Sequence, residues 1–80
     1  MEPNSKETVE MMITYFLKEI EFQKGMIRDS KHAIDDATED GDGSRLRIHT
    51  EMLRRREAKM NDLHQMLDFV QNLHYKMEVQ

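Results

Sequence analysis

The sequence predicts an all-α fold, an antiparallel helical hairpin of two long helices that assembles into a four-helix bundle or a higher oligomer. Three observations predict it. Isoleucine recurs every seven residues at Ile13, Ile20, Ile27 and Ile34; a polar, glycine-bearing stretch from Glu39 to Ser44 interrupts the chain near its middle; and a second heptad pattern beyond it mirrors the first. The 80 residues are read as a single helical-hairpin domain, 1–80, because a chain this short supports one core at most. With 38% apolar residues against 35% charged, a lone hairpin buries little, so association is part of the expectation.

The first helix is expected over 5–39. Pro3, Asn4 and Ser5 precede the periodic residues and Glu7 falls in the first turn, so Asn4 or Ser5 is the expected N-cap. Between the isoleucines, which hold heptad position a, the d positions carry Val9, Phe16, Gln23, Ser30 and Ala37. Gly25 lies inside this helix at a cost of about 1 kcal/mol relative to alanine, which points to close approach by another chain or to a hinge. Residues 40–43 form the turn, and Asp42 or Ser44 is placed to cap the second helix, expected over 44–78. There Leu46, Leu53, Met60, Leu67 and His74 hold a, and His49, Arg56, Leu63, Val70 and Met77 hold d.

Folding the chain about Gly41 and Asp42 brings every seam residue onto a seam residue. Ile13 meets Val70, Phe16 meets Leu67 and Ile20 meets Leu63, all apolar layers near the chain ends. Toward the turn each layer is mixed: Gln23 with Met60, Ile27 with Arg56, Ser30 with Leu53, Ile34 with His49. An unpaired guanidinium is strongly unfavourable inside a seam, so Arg56 is expected to find an anion, water or another subunit. With Lys59 beside it and His49, Ser30 and Gln23 in neighbouring layers, Arg56 forms a candidate cradle for a small anionic ligand of nucleotide or phosphate type, completed between subunits.

Apolar side chains also fall outside the seam. Met12, Met26, Met52, Met66 and Leu73 occupy g, with Ala33, and Tyr15, Phe22 and Phe69 occupy c. This width exceeds a two-stranded zipper, and these residues are the expected interface, to a second copy in a homodimer or to a protein partner.

Other chemistry finds little footing. Twelve Lys and Arg against sixteen Asp and Glu leave a net charge of −4, which disfavours nucleic acid. The absence of cysteine excludes a disulfide scaffold and a cysteine-ligated zinc site. Met1 to Ser5 lacks a basic leader region, and the longest apolar runs, Met11 to Ile13 and Tyr15 to Leu17, are too short for a membrane span, so a cytoplasmic protein is expected.

The string Asp40-Gly41-Asp42-Gly43-Ser44 resembles the middle of an EF-hand loop. One register begins on Thr38 and ends on His49 where carboxylates belong, and the other puts Arg45 where the loop needs glycine. Asp29 and His32 share a helix face but point outward, and His49, His64 and His74 lack the spacing of a metal triad. His49 and His74 read as half-polar seam residues sensitive to pH. The expected pairing of Asp36 with Arg47 and Asp29 with Arg54 across the hairpin would neutralise the basic stretch and fix register. The functional expectation is therefore a non-catalytic, oligomeric binding protein, a small regulator, inhibitor or adaptor, with no metal and no cofactor. Capture of an anionic ligand around Arg56 and His49 is the alternative.

Overall fold

The computed structural model describes residues 5–79. Two helices account for nearly all of them, α1 from Ser5–Asp40 and α2 from Gly43–Glu78, packed along one another as an antiparallel hairpin. The expected boundaries are met within one residue at the turn, where the helices run closer together in sequence than 39 and 44. Ser5 is the first helical residue of α1, and the alternative cap Asn4 lies outside the described residues. The molecule measures 59 × 20 × 14 Å.

The connection consists of Gly41 and Asp42 alone. Gly41 adopts φ +67°, a left-handed conformation in which a side chain is strained, and its N–H donates to the Thr38 carbonyl at 3.2 Å. The Asp42 N–H donates to the Ala37 carbonyl at 2.9 Å. Together these two bonds form a Schellman closure that satisfies carbonyls otherwise orphaned at the end of α1. Asp42 then starts α2: its Oδ1 accepts from the Arg45 N–H at 3.1 Å and its carbonyl accepts from the Leu46 N–H at 3.0 Å. The Arg45 side chain bonds Asp42 at 3.1 Å and Asp40 at 2.5 Å, which offsets the unfavourable placement of an arginine at the positive end of a helix.

Every predicted a and d position within the described helices is buried or half-buried. The apolar cluster of Val9, Ile20, Leu63, Leu67 and Val70, with Ile13, Phe16, Met60 and Met77 against it, occupies the half of the hairpin remote from the turn. Toward the turn the buried positions are Gln23, Ser30 and Ala37, two of them small, where the short link holds the helices close. The oily and mixed ends expected from the heptads are thus present. At the free tips Lys6 bridges to Glu78 at 2.7 Å, and His74 Nε2 lies 3.5 Å from Glu78 and 3.8 Å from Glu10, too far for good hydrogen bonds.

The arginines pair differently from expectation. Arg54 and Arg55 both pair with Glu51 on their own helix, and Arg45 with the turn aspartates. Among the described residues, Asp36 and Arg47, and Asp29 and Arg54, form no ion pair. Contacts three or four residues apart on one helix need less ordering of long side chains than contacts across the seam, so register is not set by these charges. Around Gly25 nothing of this chain lies within 4 Å of where its Cβ would stand, and its f position points away from α2. No helix among the described residues is long and apolar enough to cross a membrane.

Replacing Gly25 with alanine therefore stabilises the hairpin, by up to about 1 kcal/mol in urea unfolding; a loss of stability would show that another chain packs there. The backbone hydrogen bond from Arg45 is the main reason the Asp42 carboxyl is held below its ordinary value of 3.8. A group depressed in this way contributes stability that is complete above its unfolded pKa and is lost as pH falls through its folded one. Thermal unfolding followed from about pH 5 to pH 2 is expected to show a steeper acid decline for the wild type than for Asp42→Asn, whose amide oxygen still caps but does not titrate.

Candidate functional site

Position d faces the partner helix and lies next to g around the helix, so Gln23, Ser30 and Arg56 belong to one side of the seam. The Arg56 side chain crosses from α2 onto α1. Its Nη1 donates to the Met26 carbonyl at 2.7 Å and to the Ser30 Oγ at 2.5 Å. A carbonyl oxygen has two lone pairs, so Met26 can accept from this guanidinium and keep its bond within the helix. Within the chain Arg56 thus meets two neutral acceptors, beside the anion, water or second subunit expected for it.

The structure brings together part of the predicted cradle. Arg56 and Ser30 are bonded; Gln23 is buried one layer further from the turn; His49 is half-buried one heptad nearer to it; Lys59 is exposed. No hydrogen bond joins Gln23, His49 or Lys59 to Arg56 among the described residues. The Met26 carbonyl was missed because a heptad reading assigns side chains to faces and is silent on backbone acceptors. Two features stay unfulfilled. Half-buried Arg56 has no carboxylate within 4.0 Å among the described residues, and Gln23 Oε1 is buried without a hydrogen-bond partner.

The second candidate surface is the side of the hairpin formed by c and g. In an antiparallel pair the g positions of both helices flank one side of the seam and the e positions the other. On the c and g side Tyr15, Phe22, Met66 and Phe69 are exposed, Phe69 at 70%, and Met12 and Leu73 are exposed to a lesser degree. Met26, Ala33 and Met52 are half-buried beside them, and Ile48, which the sequence reading passed over, is also exposed at c. The b and e side instead carries Glu10, Lys24, Lys31, Arg54, Glu57 and His64, interrupted by Leu17 and Tyr75.

Near the tips, Thr8, Met11, Met12, Tyr15 and Phe16 line a shallow apolar recess. Met11 is the residue missed here. It sits at f, outside the apolar positions of the heptad, and is 72% exposed. Tyr15 and Phe16 meet edge to face with centroids 5.5 Å apart, which gives the recess a firm aromatic wall.

The turn aspartates are engaged by Arg45, and among the described residues no group of three or more His, Asp or Glu is placed to hold a metal ion. The geometry thus offers two things: an apolar surface on one side and, at its edge, a guanidinium with free donors.

The buried amide of Gln23 gives this site a measurable signature. A buried acceptor left without a donor costs about 1–3 kcal/mol, and methionine has a similar shape without the polar atoms. Gln23→Met is expected to raise the unfolding free energy of the isolated hairpin by about 1 kcal/mol in chemical denaturation; an equal or lower value would show that the amide is satisfied. No protein-family model matches this chain, and no curated protein or solved structure matches it either.

Proposed function

We propose that the hairpin is a non-catalytic, oligomeric binding protein, acting as a small regulator, inhibitor or adaptor by covering its c and g side with another macromolecular surface. The single observation that carries this reading is the one-sidedness of the exposed apolar residues. Scattered apolar residues on a surface are ordinary; a side that gathers most of the exposed methionine and aromatic residues, with Asp29, Asp36, Arg55, Asp62 and Lys76 at other c positions, has the mixed composition of an interface. Methionines give that face an adaptable packing surface, and the aromatics give it anchors. The site of action is taken as the cytoplasm, where a chain without cysteine is at home.

The anionic-ligand reading is supported by the unused donors of Arg56. It is the lesser reading, since the guanidinium already holds two acceptors and the other proposed ligands stand apart from it.

The test is affinity capture from the protein's own cells with three forms of the chain. Wild type and Leu17→Asp, altered on the polar side, are expected to retain the same macromolecules. Phe22→Asp combined with Phe69→Asp is expected to lose them at least tenfold with helix content unchanged. Equal retention by all three forms would overturn the reading.

A further inference from the structure

Four layers of g residues cross the apolar side from the tips toward the charged Asp40 and Arg45 layer at the turn: Met12 with Leu73, Glu19 with Met66, Met26 with Lys59, and Ala33 with Met52. The inner layers hold the polar exceptions. Glu19 is half-buried and has no cation within 4.0 Å among the described residues, and half-buried Arg56, seated on the Met26 carbonyl, has no carboxylate. Glu19 stands in one layer, and Arg56 reaches the next from position d, beside the exposed Lys59 of that layer, so charges of opposite sign without ion-pair partners among the described residues lie on either side of the midpoint.

A two-fold axis through that midpoint, perpendicular to the hairpin, exchanges the layers. It lays Glu19 of one copy over Met26 of the other, against the guanidinium held there, and does so twice by symmetry. It also sets bulky Met12 over small Ala33, and brings Phe22 and, in the same layer on α2, Asp62 near the axis, each toward its own counterpart. Stacking two hairpins with turns at the same end would instead put each layer on itself with the helices exchanged, so that Glu19 lies over Met66 and Lys59 over Met26, and the Glu19 carboxylate faces no cation. The molecular outline of 59 × 20 Å leaves room for the roughly 800 Å² per partner that a stable interface requires.

Building on the proposed contact surface, we infer that its occupant is a second copy of this chain, laid face to face with its turn at the opposite end. Glu19 of each copy supplies the carboxylate that Arg56 of the other lacks. The contact is isologous and closed, so assembly stops at a dimer.

The absence of cysteine makes a clean test possible. Positions 12 and 33 lie on one helix, about 30 Å apart along it, so no disulfide can join them within a chain. Light scattering at micromolar concentration is expected to give the wild type twice its 9.6 kDa mass. Met12→Cys combined with Ala33→Cys is expected to oxidise to a covalent dimer, while Met12→Cys alone is not. Glu19→Lys is expected to weaken association at least tenfold with helix content retained on circular dichroism.

A monomeric wild type would overturn this inference while leaving the contact surface to be judged by the cellular capture. A dimer that ignores Glu19→Lys, or one that cross-links through Met12→Cys alone, would overturn the antiparallel arrangement. Retention of a foreign protein by a chain that stays monomeric would overturn the second copy as occupant.

Discussion

The rest of the molecule depends on a link with no slack. Gly41 supplies the one backbone conformation that turns the chain back at once, and Asp42 belongs to both helices: its N–H closes α1 while its carboxylate and carbonyl open α2. A longer loop would tolerate sliding of one helix past the other. Here the phase of α2 relative to α1 is fixed at the bend and carried along both rods, so Arg56 arrives between Met26 and Ser30 and Lys6 meets Glu78 at the far end.

That fixed phase accounts for the unequal halves. Close to the bend the helices are held together by covalent geometry, and small Ala37 and Ser30 fit between them. Farther out nothing covalent holds them, and the large side chains of Ile20, Leu63, Leu67 and Val70 do so. Arg56 marks the transition. A guanidinium that fits against one backbone carbonyl and one hydroxyl makes any slip in register leave a charge without acceptors, which adds specificity beyond what the isoleucines provide.

Fold and register were legible because helical periodicity is a property of side-chain order, and because two patterns that mirror one another about Gly41 and Asp42 are constrained twice. The candidate site was legible only in part. Arg56 and Ser30 could be placed in neighbouring layers, but the Met26 carbonyl that receives the guanidinium carries no signal in residue identity. The pairs Asp36 with Arg47 and Asp29 with Arg54 matched in sign and register, yet Arg54 and Arg55 found Glu51 on their own helix. Pattern gives proximity, whereas the choice among nearby partners follows from side-chain reach and entropy. Met11 escaped for a related reason, since a residue at f is read as solvent-facing whatever its type.

The separation of the oily cluster from the bend has a kinetic meaning. Layers beside Gly41 close small loops at little entropic cost but bury few large apolar groups; Val9 and Val70 bury more but close a loop nearly as long as the chain. Zipping outward from the bend shortens each successive closure, so the polar middle acts as a threshold crossed before the apolar tips reward the chain. The tips then serve as a clasp: once they open, little inward of them resists further unzipping.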